Sequence, residues 1–304
     1  ISGKGEELVR DGVSVYSVTS TPGQTRFSRM KETVNQVYQK ALEIDADVYH
    51  LHDPELLRIA LKLKRKGKKV IYDAHEDLPR QILGKHWIPK LARKIFSHSF
   101  EMYENFVVKK LDAVVAATPF IKNRFEKVNK KTIDVNNYPI LIEGKIEKVQ
   151  SNEDYICYAG GITSNRGILP LVKAMRLLPG VKLKLAGRYS PEEFRSELKL
   201  EDGWKQVDEL GYIARKDVRE LISGSIAGLV TLKPLPNYLD SLPIKMFEYM
   251  YEGVPVVASN FPYWKTIVEE NDCGVCVNPE SEQEISDAVK LFKNDKILRR
   301  KMGE

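Results

Sequence analysis

The sequence predicts an α/β protein made of two Rossmann-like, doubly wound parallel-sheet domains facing a cleft, and three observations predict it. Short apolar strands alternate with segments of helical period, which is the pattern of parallel sheets. The alternation stops in a stretch without steady period, Asn136–Asp154 (NNYPILIEGKIEKVQSNED), and then restarts. The length of 304 residues exceeds one typical core and suits two domains of roughly 150 residues each. The boundary is set inside the polar stretch, giving domains 1–145 and 146–304.

In the first half, VSVYSV follows a charged turn as a strand. Arg29–Ile44 places Met30, Val34, Val37, Tyr38, Ala41 and Leu42 at helical spacing. DVYHL (47–51) is a strand, and HDPELLRIALKLKRKGKK is a loop and a helix ending at Gly67. Val70–Tyr72 is a strand running into DAHEDLPR. Pro89–Leu111 reads as a long amphipathic helix, DAVVAATP as a buried strand and Phe120–Val128 as a helix. After the linker come the strand YICYAGG, the helix Ile168–Leu177, the strand VKLKLAGR and the helix Pro191–Leu200. The strand Val207–Tyr212, the helix Lys216–Ser223 and the strand GSIAGLVTLKP follow. Leu239–Ser259 then supplies a turn, a helix opened by Pro243 and stopped at Gly253, and the strand Val254–Ala258. Ser281–Phe292 and Lys296–Met302 are terminal helices.

Composition narrows the class. Hydrophobic residues at 42% and charged residues at 30% describe a globular chain rather than a disordered one. No run of about 18 apolar residues is present, so no segment reads as a transmembrane helix. The three cysteines, Cys157, Cys273 and Cys276, give no even disulfide framework. Cys273 and Cys276 are spaced as CxxC, but no second pair completes a zinc site and DCGVCVNP reads as a turn entering a strand, so they are read as structural. A net charge of +6 permits contact with anionic lipid or phosphorylated ligands and demands neither.

The helix after Pro243 is apolar round most of its circumference, through Ile244, Met246, Phe247, Met250 and Tyr251, and is expected to be largely buried. Lys245, Glu248 and Glu252 nevertheless share one stripe. A buried helix carries such a stripe when the charges pair internally, Lys245 with Glu248, or when they face a polar ligand at the helix N-terminus, where free N–H groups favour phosphate. Three strands of the second domain end in glycines and basic residues: Gly160–Gly161 with Arg166, Gly187 with Arg188, and Lys233. Each glycine alone makes a tight turn; together on one rim they point to a phosphate-bearing ligand. Tandem parallel domains bind at strand carboxyl ends, which puts the expected site in the cleft between them. No GxGxxG or Walker A sequence occurs, against dehydrogenase and P-loop readings.

Other features read less sharply. His50 and His52 lie two apart and share a strand face, but no third ligand with sensible spacing is evident, so no metal site is assigned. Asp45-Ala46-Asp47 precedes a strand rather than following one and reads as loop solvation, and Lys62–Lys69 as a solvated helix face and loop. Pro89–Leu111 carries Leu91, Ile95, Phe96, Phe100, Tyr103 and Phe106 among Lys90, Arg93, Lys94, Lys109 and Lys110. It suits docking on an anionic membrane, or a core helix with solvated ends.

Read together, LDSLPIKMFEYMYEGVPVVAS, YAGGITSNRGILPLVKAM, LKLAGR, ELGYIARKDVRELISGSIAGLV and ASNFPYWKTIVEENDCGVCVNP resemble the family-4 retaining glycosyltransferases of the GT-B fold. The nearest likeness is to the branch that builds capsular or other surface polysaccharides. DADVYHLHDPELL, KKVIYDAHEDLPRQIL and AVVAATPFIKNRF resemble that family's acceptor domain. The resemblance implies transfer of a sugar from a nucleotide diphosphate donor, UDP or GDP, to a glycan or lipid-linked acceptor hydroxyl, with retention and without a metal or other cofactor. It implies a cytoplasmic enzyme, with peripheral contact at the inner face of the membrane as an option, and no nucleic-acid partner.

By that resemblance Glu248 holds the ribose hydroxyls, as a carboxylate can accept from both at once. Arg166 meets the donor diphosphate, and Gly160 and Gly161 form the phosphate-side turn; Gly187 and Arg188 are assigned to donor binding from their place on the same strand-end rim. Gly161 stands where an arginine is common, which makes Lys245 the candidate replacement cation. Asp240 matches the position of a second acid, but the residues after it, starting with Ser241, depart from the usual glycine-rich pattern. Tyr212 and Ile213 occupy the turn that meets the base. His75 matches a histidine near the donor sugar; on its own it reads as a helix cap or loop residue. The resemblance also implies a missing first βαβ unit and a missing last helix. Two other readings stay open: a nucleotide-sugar-binding module without catalysis, and a GT-B-fold epimerase.

Overall fold

The computed structural model describes residues 2–3, 7–19, 26–85, 87–140 and 153–304, and divides the chain into two compact units, Ile1–Asn136 and Asn137–Glu304. Of the stretch read as a linker, 141–152 lies outside the described residues, as does the boundary set at 145. Tyr138–Ile140 belong to the second unit.

The first unit opens with an antiparallel hairpin, β1 (Glu7–Arg10) and β2 (Val13–Tyr16). Its turn residues Asp11 and Gly12 both have positive φ, 52° and 78°, as a two-residue type I′ turn requires. VSVYSV is therefore not one continuous strand after a turn; its first four residues are the return arm of this hairpin. The elements that follow are α1 (Arg26–Ile44), β3 (Val48–Leu51), α2 (Leu57–Arg65), β4 (Lys69–Ala74), α3 (Leu78–Leu83), α4 (Lys90–Val108), β5 (Ala113–Ala116), α5 (Pro119–Phe125) and β6 (Thr132–Asp134). Strands β3 to β6 pair in chain order, all parallel.

Helix α2 buries the face Leu57–Ala60–Leu63 against Val70 and Tyr72 of β4, with Val107, Val108, Val114 and Phe125 completing the core. One charged group lies inside it. Glu104 of α4 is fully buried and both its oxygens are used: the Tyr72 hydroxyl donates to Oε1 at 3.1 Å and Arg124 Nη2 to Oε2 at 2.7 Å. Burial pushes the Glu104 carboxyl up, and Arg124 and the Tyr72 hydroxyl pull it back. Asp45 closes α1 at φ 49° and pairs with Lys68 at 2.8 Å. Lys64 and Lys69, in the basic run, both reach Asp112.

The second unit contains β7 (Tyr155–Ala159), α6 (Ile168–Ala174), β8 (Lys182–Ala186), α7 (Phe194–Leu198), β9 (Val207–Gly211), α8 (Arg215–Ser223) and β10 (Gly228–Val230). It continues with α9 (Ile244–Tyr251), β11 (Val256–Ser259), α10 (Pro262–Val268), β12 (Gly274–Val277), α11 (Glu282–Asn294) and α12 (Lys296–Lys301). The sheet order is β9-β8-β7-β10-β11-β12, every pair parallel, so the order reverses between β7 and β10. That is the doubly wound arrangement, and ligands bind outside the strand ends at the reversal.

The period of two along β7 divides the core. Tyr155 and Cys157 face α8, α9 and α10, while Ile156 and Tyr158 face α6 and α11. Two elements are shorter than the sequence reading: α7 is one and a half turns rather than Pro191–Leu200, and β10 stops at Val230. Thr231 and Leu232 continue buried but outside the ladder.

Candidate nucleotide-binding site

Helix α9 is set by its contact with β10. Met246 and Tyr249 are fully buried, and Gly228 lies directly under the Tyr249 ring, where any Cβ would overlap it. The Tyr249 hydroxyl accepts from the Ala159 N–H at 3.4 Å, tying α9 to the end of β7. This seating sends the three charged residues of α9 to different places. Glu252 pairs with Arg219 of α8 at 2.5 Å. Glu248 borders a cavity. Lys245 turns inward, 8% exposed, with Nζ 3.8 Å over the Tyr158 ring and 2.8 Å from the point a Cβ on Gly160 would occupy.

Lys245 Nζ has no hydrogen-bond acceptor among the described residues, and Lys245 and Glu248 form no ion pair there. Burial and the nearby Arg166 charge push the Lys245 amine well below its ordinary value. An orphaned cation held against a glycine turn is what an anion site looks like before its anion arrives. The helix expected to be largely buried has one exposed residue, Ile244, which is 40% exposed and lines the same cavity, while Phe247 meets the Tyr138 ring edge-on at 4.8 Å.

The cavity, about 830 Å³, is bounded by the carboxyl ends of β7, β8 and β9. Gly160–Gly161, Gly187–Arg188 and Tyr212–Ile213 supply its floor and wall, with Glu248 and Ile244 opposite. Gly160 and Gly187 have φ of 139° and 155°, and a Cβ on Gly187 would overlap the Gly160 carbonyl oxygen. The two turns touch, so both positions require glycine. A Cβ on Gly161 would meet open space, so room remains where the resemblance puts an arginine. The Arg188 guanidinium lies 4.9 Å from the centroid of the exposed Tyr212 ring.

The remaining expected residues fall beside the cavity or away from it. Arg166 ends a short turn, Ser164–Arg166, before left-handed Gly167, and sits against the Tyr158 hydroxyl that also donates to the Gly161 carbonyl at 2.8 Å. Lys233 Nζ donates to Ser164 Oγ at 3.2 Å, so two cations hold this turn. Asp240 and Ser241 do not line the cavity. They lie in the turn before α9, where the Ser241 hydroxyl donates to the Tyr238 carbonyl and the Ser241 carbonyl accepts from Trp264 Nε1. His75 lies in the first unit. Sequence reasoning missed Tyr138–Ile140, read as linker, and Arg215, which also line the cavity.

His75 belongs to a cluster the sequence did not reveal. His50 Nε2 and His52 Nδ1 lie 3.2 and 3.3 Å from Asp73 Oδ2, and His75 Nε2 lies 3.5 Å from Asp73 Oδ1. Asp73 supplies the third group that the spacing of His50 and His52 along the chain does not show, with the three ligand-type atoms within 4.8 Å of one another. It stands on the neighbouring strand.

The second unit is thus a doubly wound α/β domain with a glycine-lined cavity at its strand ends. Residues 142–304 match the family described as "Glycosyl transferases group 1", and residues 2–136 match "Glycosyltransferase Family 4". The chain therefore belongs to the group 1 glycosyltransferases. It is 24% identical over 270 residues to YqgM of Bacillus subtilis (strain 168), described as an uncharacterized glycosyltransferase, covering 85% of this chain and 71% of that one. Among solved structures it resembles sucrose-phosphate synthase from Thermosynechococcus elongatus (TM-score 0.75, 16% identity, 98% of this chain and 78% of that chain). It also resembles Anabaena Alr3699/HepE in complex with UDP-glucose (TM-score 0.71, 17% identity, 96% and 79%). These likenesses are to the GT-B fold.

Proposed function

We propose that the protein is a retaining glycosyltransferase that moves a sugar from a nucleotide diphosphate donor, with UDP or GDP as the base-bearing part, to an acceptor hydroxyl. The second unit takes the donor and the first the acceptor. The observation that carries this reading is Lys245: a buried amine without an acceptor, aimed at the Gly160 turn on the rim of an open cavity. The UDP-glucose bound to Anabaena Alr3699/HepE supports the choice of ligand class.

In this reading Glu248 accepts from the two ribose hydroxyls and Tyr212–Ile213 meet the base, stacked beside Arg188. The diphosphate lies over Gly160, Gly161 and Gly187 with Lys245 and Arg166 behind it. As the bond to the anomeric carbon breaks, negative charge grows on the leaving phosphate, and Lys245, Arg166 and the α9 N-terminus stabilise it. The leaving phosphate oxygen takes the proton of the acceptor hydroxyl on the same face, so the configuration is retained without an enzyme nucleophile and without a metal. His75 hydrogen-bonds a sugar hydroxyl. Ser241 pins the turn before α9 through Tyr238 and Trp264, and Asp240 stands in that turn as the acid proposed to approach the donor sugar.

The acceptor is proposed to be a growing surface polysaccharide or a lipid-linked glycan on the cytoplasmic side of the membrane. Helix α4 supports this: Leu91, Ile95, Phe96, Met102 and Phe106 are exposed beside Lys90, Lys94, Lys109 and Lys110. No described helix is long and apolar enough to cross a membrane.

Calorimetric titration with UDP, GDP, ADP and CMP tests the donor site. One diphosphate is expected to bind, and Glu248→Ala to weaken it about tenfold or more, roughly 1.4 kcal/mol for each factor of ten. Absence of binding by a folded sample overturns the reading. Sugar transfer to added acceptor, against epimer formation without one, separates the transferase from an epimerase.

A further inference from the structure

We propose that the first unit holds a divalent transition-metal ion of the zinc class on His50 Nε2, His52 Nδ1 and Asp73 Oδ2. The metal goes beyond the function proposed above, and its three ligands all belong to the first unit.

The sheet assembles it. The period of two puts His50 and His52 on one face of the chain leaving β3, and the parallel register Leu51↔Tyr72 brings Asp73 of β4 level with His52. The two imidazole rings stand 4.6 Å apart, and the ligand atoms all lie within 4.8 Å of one another. Asp73 is 8% exposed, which fixes the carboxylate, while the two histidines stay open to solvent and leave a path for the ion.

Two of the three ligand–ligand distances have the spacing of a metal site. Ligands about 2.0–2.1 Å from a tetrahedral ion sit roughly 3.3 Å from one another. Asp73 Oδ2 lies 3.2 Å from His50 Nε2 and 3.3 Å from His52 Nδ1. Charge-assisted hydrogen bonds between imidazolium and carboxylate close to about 2.7–2.9 Å. The shared carboxylate oxygen therefore has the spacing of two edges of a coordination tetrahedron, and the third edge, within 4.8 Å, closes when the exposed imidazoles turn toward the ion. His75 Nε2 shares a hydrogen bond with His52 Nδ1 at 2.9 Å and lies 3.5 Å from Asp73 Oδ1, so an ion that takes His52 replaces that hydrogen bond.

The donor set names the class of ion. Two imidazoles and one carboxylate suit zinc, cobalt or nickel; magnesium and calcium take oxygen ligands throughout. The same face of β3 and β4 carries no lysine or arginine in contact with Asp73, so the charge of the ion has no competing cation on that carboxylate among the described residues.

Cobalt(II) titration of the full chain tests the site, because low-coordinate cobalt has visible ligand-field bands that free cobalt lacks. One equivalent is expected to bind and to be displaced by zinc. Asp73→Asn and His50→Gln are each expected to weaken it on the order of tenfold or more, while Glu248→Ala leaves it unchanged. His50 is largely exposed, so His50→Gln tests the ligand without burdening the fold, and circular dichroism confirms that each variant is folded. A folded chain with no ligand-field spectrum overturns the proposal, and so does a spectrum that both variants retain. Failure of UDP binding leaves the cobalt result standing, so the two proposals fail separately.

Discussion

Glu104 in the first unit and Lys245 in the second are both helix residues carried to the side that packs on a parallel sheet. Glu104 arrives with both oxygens engaged, by Tyr72 and Arg124, and Arg124 reaches on towards Asp77 and Glu101 at 3.8 and 3.9 Å. Lys245 arrives with an aromatic ring beneath it, a like charge beside it and no acceptor. A buried charge with partners specifies a fold; a buried charge without them costs stability and persists where something else supplies the partner. The difference separates a structural ion pair from a binding group without reference to any relative.

The comparison can be broken at three points. Arg124→Met removes the partner of a fully buried carboxylate and is expected to destabilise the first unit by about 3–5 kcal/mol, read as a lower midpoint in chemical denaturation. An unchanged midpoint would mean that the pair is not what holds Glu104. Lys245→Met works the other way: removing an unpaired buried polar group is expected to stabilise the second unit by about 1–3 kcal/mol while lowering UDP affinity about tenfold or more. Loss of both stability and binding would put Lys245 in the structural class.

The smallest effects sharpen the same contrast. Tyr72→Phe leaves Arg124 in place and removes one donor, for a loss of about 1 kcal/mol. For Lys245 the sign of the pH effect follows from its depressed native value. Between that value and the ordinary lysine range the folded unit binds fewer protons than the unfolded chain, so stability rises with pH across the window. A bound diphosphate raises the amine again, so UDP binding in that window takes up a proton. Titrations in buffers of different ionisation enthalpy measure the uptake, and Lys245→Met is expected to abolish it.

How far the sequence carried depended on whether the signal was local. The βα alternation, the Pro243 start of α9 and the glycine rim Gly160, Gly161 and Gly187 are all encoded within a few residues, and they led to the cavity. The antiparallel hairpin at Asp11–Gly12 was equally local and went unread, although a DG pair between apolar runs is a strong turn signal. The cluster around Asp73 was out of reach because strand register sets it. Placing Lys245 inside and Glu252 on Arg219 needed the rotation of α9, which Gly228 of β10 sets from directly beneath Tyr249. Tyr138–Ile140 have no period of their own and acquire a role only from the wall they complete.

The strand order of the second unit has a consequence for synthesis. β7 is the first strand made, yet it is central: β8 covers one edge, and the other waits for β10. That strand begins roughly 70 residues after β7 ends, which at 5–20 residues per second is about 4–14 s of translation. By the end of that interval the nascent chain holds β9-β8-β7 with one apolar edge still open to pairing with a neighbouring chain. The strand that leads into the Gly160 turn is thus the first of this sheet to be made, and one of its edges is closed only when β10 arrives.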